Sequence, residues 1–266
     1  MIAWKPPKIW PGATVFIIGG GPSITQDQLK LLCDSKNRGK YRIIGCNKAY
    51  REGSWIDAIW CGDDRYFFKY RNAMVREYNG LRISLSNAAE RDKHFKWMCK
   101  FRGGKKQMRQ LEKMMKDSLL DPVVFRTLKK NPTTGICPLP GYICWNSNTG
   151  SSAINLAYHF GARKIALMGF DMQSLPIKNP TSAQRKTGIT RQTHYHEGYP
   201  EWGGPSKKLP YNRYRRRFPV IAQHAKLLGL EIIDCSLNGA LTQFPKIPVE
   251  RVIIEECQAH SSNNLI

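Results

Sequence analysis

The chain of 266 residues, 41% of them hydrophobic, is long enough for one sizeable core, which excludes wholesale disorder and favours one α/β domain over two. Its 42 Lys and Arg against 20 Asp and Glu leave a net charge of +22, which points to a polyanionic partner. No apolar run approaches the about 20 residues of a membrane span and the N-terminus lacks the apolar centre of a signal peptide, so a cytoplasmic protein is expected.

The first predicted strand, Val15–Gly19, runs into Gly19-Gly20-Gly21-Pro22-Ser23. The glycines allow positive φ and close backbone approach, and Pro22 with Ser23 is expected to open the helix Thr25–Leu32. Strand, glycine turn and helix start together offer free N–H groups to an anion, usually a phosphate. The dinucleotide fingerprint is incomplete, because Ile24 stands where the third glycine belongs, and no Lys-Ser/Thr pair makes a Walker loop. The plain alternative is a tight turn with no ligand.

The second strand, Arg42–Cys46, ends at Asn47, where a nicotinamide enzyme carries an acid for the ribose; this speaks against a dehydrogenase. The third, Ala58–Cys61, ends at Gly62-Asp63-Asp64, and an acid there either holds Mg²⁺ on a nucleotide or caps the helix Arg65–Tyr78. After the strand Leu81–Leu85, residues 88–131 form a basic, Met-rich insertion. Its predicted helix Gln107–Leu119 puts Met108, Leu111, Met114 and Met115 on one packing face, with the Lys and Arg of the insertion, Lys105 and Lys106 among them, outward.

Ser147-Asn148-Thr149-Gly150 precedes the helix Ser151–Phe160. Asn148, Thr149 or Ser151 can cap it, and so many small polar groups also suit a ribose or phosphate. The strand Lys164–Gly169 leads through Phe170 to Asp171, followed by a long loop or lid at 173–211. Within it, His194 and His196 are alternate residues that share a face if extended. Either can act as a general base, or bind metal with Asp171 or Glu197, or sit exposed without a role. The predicted helix Tyr214–Leu228 follows; Arg213, Arg215, Arg216 and Arg217, interleaved with Tyr211 and Tyr214, suit nucleic-acid contact or a solvated face. The strand Glu231–Asp234 and a tail, 251–266, complete the chain.

Strands alternating with helices predict a Rossmann-like, mostly parallel sheet with helices on both faces, one nucleotide-binding domain over 1–250, and a ligand beyond the strands' carboxyl ends. The 8 cysteines include no C-x-x-C pair and read as reduced, mostly buried thiols. The charge excess is uneven: 13 Lys and Arg against 4 Asp and Glu from Arg91 to Lys130, and 10 against 2 from Lys178 to Arg217.

Taken in order, the glycine turn, Cys46-Asn47-Lys48-Ala49-Tyr50, Asp57 to Asp63, Ser147 to Gly150, Ile165 to Met172, the loop histidines and Asp234 to Pro245 resemble one superfamily. It comprises the family-42 bacterial sialyltransferases, the Maf flagellin glycosyltransferases and the archaeal hydroxymethylpterin diphosphokinases, together with short phage-encoded proteins. The resemblance spans most of residues 14–250 outside the basic stretches. From the sialyltransferases it implies a cytidine nucleotide held by Gly19, Gly21, Pro22, Ser23, Asn47, Ser147, Asn148, Thr149 and Gly150, with His194 or His196 as base and no metal. From the diphosphokinases it implies Mg²⁺ and promotes Asp63, Asp64 and Asp171. The expectation is a nucleotide-dependent transferase, foremost a metal-independent glycosyltransferase with a nucleotide-activated sugar donor (a CMP-sugar or another), requiring no further cofactor. Its acceptor would be polyanionic, with DNA the candidate and a phage's host cytoplasm the setting. The alternatives are a Mg²⁺-dependent diphosphotransferase and a non-catalytic basic nucleic-acid-binding protein.

Overall fold

A computed structural model describes residues 3–34, 36–177, 182, 191–195 and 210–263. The first half of the chain alternates as expected: β1 (Thr14–Ile18), α1 (Gln26–Cys33), β2 (Arg42–Cys46), β3 (Ala58–Cys61), α2 (Asp64–Glu77), β4 (Leu81–Ser84) and β5 (Lys96–Trp97). Short β6 (Cys99–Lys100) and β7 (Tyr142–Ile143) pair with each other and bracket α3 (Lys105–Lys116) and α4 (Pro122–Lys130). Then follow α5 (Thr149–Phe160), β8 (Lys164–Met168), the small ladder β9 (Leu175–Pro176) with β10 (Arg191–Gln192), α6 (Tyr211–Arg215), α7 (Phe218–Leu227), β11 (Glu231–Asp234) and α8 (Val249–Asn263).

Seven strands form one parallel sheet in the order β11-β8-β1-β2-β3-β4-β5. Side-chain alternation along β1 divides the core: Val15 and Ile17 pack on the α5 and α7 face, Phe16 and Ile18 on the α1, α2 and α8 face. Both faces are therefore covered, as near-continuous apolar strands require. The chain runs outward from β1 through β5 and later returns to fill β8 and β11 on the other side. The order thus reverses between β1 and β8, and that switch point opens a crevice beyond their carboxyl ends.

Several boundaries differ from the sequence reading. α1 starts at Gln26, one residue after the expected Thr25, which with Gln28 forms a reciprocal cap with both bonds at 3.2 Å, so Pro22 and Ser23 stand ahead of the helix. The helix expected over Tyr214–Leu228 is two, interrupted at Arg216 and Arg217, with Pro219 in the first turn of α7. Residues 251–263, read as tail, belong to α8, whose Val252 and Ile253 are buried and whose Glu256 pairs with Lys164 at 3.1 Å.

The basic insertion holds a second helix, α4, capped by Asp121 through the Val123 amide at 2.7 Å. Leu111, Val124, Phe125 and Leu128 form a small separate core, with Met108, Met114 and Met115 against it, so the apolar stripe of α3 packs as expected. Lys105 and Lys106 are exposed. All 8 cysteines are free. Among the described residues no helix is long and apolar enough to cross a membrane.

Candidate functional site

A pocket lies at the β1/β8 switch point. It is walled by Gly19, Gly20 and Gly21 after β1, Asn47 after β2, Asp63 after β3 and Gly169 after β8. Ser147, Asn148, Thr149 and Gly150 at the start of α5 line it as well, as does His194. These sites, scattered over most of the chain, share one cavity because parallel strands deliver all their carboxyl ends to one edge.

The glycine turn offers an anion fewer free amides than its sequence suggests. The Gly19 N–H donates to the Met168 carbonyl and the Gly21 N–H to the Gly169 carbonyl, each at 2.8 Å. Ser23 donates its N–H and its hydroxyl to Asp171 Oδ2 at 3.2 and 2.9 Å. These amides are engaged within the protein and unavailable to an anion. None of the three glycines has positive φ either; they are needed for close approach. A Cβ on Gly19 would stand 2.8 Å, and on Gly21 2.5 Å, from the Gly169 carbonyl oxygen. The turn stitches the end of β1 to the end of β8.

Asp171 is the clamp of that stitch. It is 1% exposed and sits behind the turn, and neither it, Pro22 nor Ser23 is among the pocket walls. Burial raises its pKa above the ordinary carboxylate value against the opposing bonds from Ser23, and the nearby Asp234 raises it further.

The start of α5 is a second candidate for holding an anion. Asn148 caps the helix, its side chain accepting from the Ser151 N–H at 3.0 Å. The first-turn amides of Thr149 and Gly150 have no intrahelical acceptor and lie at the positive end of a 12-residue helix. Trp60 fixes this turn from β3, donating from Nε1 to the Thr149 carbonyl at 3.1 Å and to Ser152 Oγ at 2.9 Å. Gly150 is required because a Cβ there would lie 2.9 Å from the ring of Phe170.

Backbone strain gathers at the same place. Of the described non-glycine residues with positive φ, Asn47 (52°), Ser147 (60°) and Met172 (50°) line the pocket and Asn146 (54°) adjoins it, leaving Ser118 elsewhere. Such conformations persist where the surroundings over-determine them, and they cluster at ligand sites. Asn146 shows how: its side chain accepts from the Gly135 N–H at 2.7 Å and donates to the carbonyls of Gly135 and Cys144 at 2.9 and 3.1 Å. Asn47 Oδ1 and Tyr211 Oη at the pocket are buried without a hydrogen-bond partner, two groups left for a ligand to satisfy. Burial, then the charge of Asp171, pushes the Tyr211 phenol up to about 12.

His194 faces Gly20 and has Thr193 Oγ1 3.0 Å from its Nδ1; His196 lies outside the described residues. The acids named for Mg²⁺ do not converge. Asp63 caps α2 through the Tyr66 N–H at 3.1 Å, Asp64 pairs with Lys100 at 3.4 Å, and Asp171 holds Ser23. Among the described residues no cluster of His, Cys, Asp and Glu suits a metal ion. Of the arginines proposed for nucleic acid, Arg213, Arg215 and Arg216 are exposed. Arg217 is half-buried and donates to Thr134 Oγ1 at 2.8 Å, a structural tie.

Sequence reasoning missed Trp145, Phe170, Met172 and Gln173 in the pocket, and it assigned Tyr211 and Tyr214 to a surface rather than to this wall. The available signal was the position of Phe170 and Met172 immediately after a strand end.

No protein-family model matches this chain, and no curated protein matches it. Among solved structures it is similar to the sialyltransferase CstII from Campylobacter jejuni in complex with cytidine-5'-monophosphate, at 14% identity and TM-score 0.44, covering 89% of this chain and 85% of that one. The same enzyme in complex with CMP-3FNeuAc gives 14% identity and TM-score 0.43, with 88% and 84% covered.

Proposed function

We propose that this protein is a nucleotide-dependent transferase, a metal-independent glycosyltransferase that moves a sugar from a nucleotide-sugar to a hydroxyl acceptor on a polyanion, with DNA as that polyanion. The observation that carries the reading is the start of α5, whose first-turn amides lack an intrahelical acceptor and whose residues line the same switch-point pocket as the His194 imidazole. The order of motifs that resembles the sialyltransferases supports it independently of the fold.

In this mechanism the amides of Thr149 and Gly150 and the helix dipole stabilise the phosphate as it departs. Ser147 and the Thr149 hydroxyl add donors, and Asn47 Oδ1 accepts from a ribose or base donor. In the tautomer whose Nδ1–H donates to Thr193 Oγ1, His194 Nε2 is the atom that takes the proton of the acceptor hydroxyl. The acceptor oxygen bonds to the anomeric carbon as the anomeric C–O bond to phosphate breaks; the hydroxyl proton passes to Nε2. No carboxylate is asked to hold Mg²⁺, because Asp63, Asp64 and Asp171 are otherwise engaged.

The test is a thermal-shift series with CMP, UDP, GDP, ADP and ATP, with and without Mg²⁺. A ligand selective for the native state adds about 2.7 kcal/mol at about 100 times its Kd, so the donor nucleotide stabilises the protein with EDTA present. Stabilisation by ATP and Mg²⁺ alone would favour the diphosphotransferase reading. No stabilisation by any nucleotide, with nucleic-acid binding retained, would favour the non-catalytic one.

A further inference from the structure

The loop 131–136 joins three features that the sequence keeps far apart. It begins where α4 ends, at Lys129 and Lys130. It holds the α6–α7 joint, through Arg217 on Thr134 at 2.8 Å and the Ile136 N–H donating to His224 Nδ1 at 3.1 Å. It also holds the pocket lip, because the Asn146 N–H donates to the Thr133 carbonyl at 2.9 Å and Asn146 brackets Gly135. The end of α4, the arginines of α6 and the lip at Ser147 are therefore one rigid corner of the molecule.

That corner is strongly cationic. Residues 126–134 and 210–220 hold seven Lys and Arg and no Asp or Glu. Lys129, Lys130, Arg213, Arg215 and Arg216 are exposed, while Tyr211 and Tyr214, alternating with those arginines on α6, turn into the pocket. The guanidinium of Arg213 lies 5.7 Å from the ring of Tyr214. Cations outside and aromatic rings inside, on the same short helix, are the arrangement that tracks a phosphate backbone while a base stacks.

Resting on the transferase reading, we infer that the acceptor is an unpaired stretch of nucleic acid. Its backbone runs over Lys129, Lys130, Arg213, Arg215 and Arg216, and its reacting residue enters the pocket past Tyr214. A half-buried imidazole cannot reach a base inside its stack, so the reacting residue has to leave the stack, and an unpaired strand supplies it without the unpairing cost of a duplex. The alternation of exposed arginine with pocket tyrosine along α6 carries this assignment.

The experiment measures binding of a fluorescent mixed-sequence strand of about 15 nucleotides, and of the same sequence as duplex, between about 50 and 200 mM salt. The strand binds at least about tenfold tighter than the duplex, with a log–log salt slope of about −3.5 for some five phosphates. Replacing Lys129, Lys130, Arg213, Arg215 and Arg216 together by Ser brings the slope towards zero and weakens binding at least about 100-fold. The nucleotide thermal shift stays unchanged in that variant, which shows that it is folded. A duplex bound as tightly as the strand, or a variant that binds as the parent does, overturns the inference. A protein that binds the strand on this track but no nucleotide supports the track and contradicts the transferase reading, so the two failures are distinguishable.

Discussion

His194 rests on Gly20: a Cβ at residue 20 would stand 3.0 Å from the imidazole Cδ2, and the Gly20 carbonyl accepts the Tyr195 N–H at 3.1 Å. The segment bearing the proposed base is thus clipped to the one glycine of the turn whose N–H has no bond across to β8 or its loop. The turn serves the site by seating the imidazole.

Gly20→Ala displaces His194 and lowers turnover about 10- to 100-fold, with donor affinity changed by less than about threefold. His194→Ala costs about 10²–10⁴-fold. If both act on one imidazole, the double variant is no slower than His194→Ala alone. Rates that multiply in the double variant would show that Gly20 acts by another route.

Gly21→Val is a stability variant. Its side chain would collide with the Asp171 carboxylate and the Gly169 carbonyl, forcing β1 and β8 apart at the switch point. The expected loss is about 1–3 kcal/mol, read as a lower midpoint in urea. An unchanged midpoint would contradict the close packing of this turn.

The buried histidines make stability fall in mild acid. Burial lowers His159 from 6.5 to about 4, opposed only by its bond to the Tyr142 carbonyl at 2.8 Å; His224 shifts the same way for the same reason. A lowered folded pKa means that the unfolded chain takes up the proton first. The stability contribution is therefore full above about pH 6.5 and is lost as pH falls towards about 4, by about 3 kcal/mol for His159. The buried Asp171 and Asp234, raised by burial, act oppositely: the folded state takes their protons first, so falling pH relieves their cost. His159→Gln flattens the fall in midpoint between about pH 7 and 5 if this cause is right. A slope as steep as the parent's would contradict it.

The sheet was legible because its strands are short apolar runs ended by small polar residues; β2, β3 and β11 begin and end where their sequences predict. So was the convergence of Gly19, Asn47, Asp63 and Gly169 on one edge, which follows from parallel topology. The engagement of the turn amides was not. It depends on Asp171 meeting Ser23 across 148 residues, a contact no local pattern encodes. The positive φ of Asn47 and Ser147 and the inward turn of Tyr211 and Tyr214 are likewise set by tertiary packing. α4 was missed because its apolar stripe is short, although Asp121-Pro122 is a proper helix start.

The central claim is that phosphate sits on the first-turn amides of α5, and Thr149→Pro tests it most directly. Proline at this position keeps the helix, since Asn148 already has the extended backbone (φ −153°, ψ 135°) that a following proline requires. It removes one N–H from the proposed cradle, while Thr149→Ala removes only the hydroxyl. The measurement is calorimetric affinity for the nucleotide found by thermal shift, on the parent and both variants. Thr149→Pro is expected to bind at least about tenfold more weakly than Thr149→Ala, the worth of one charge-assisted hydrogen bond. Equal affinity in the two variants, both folded, would contradict the account.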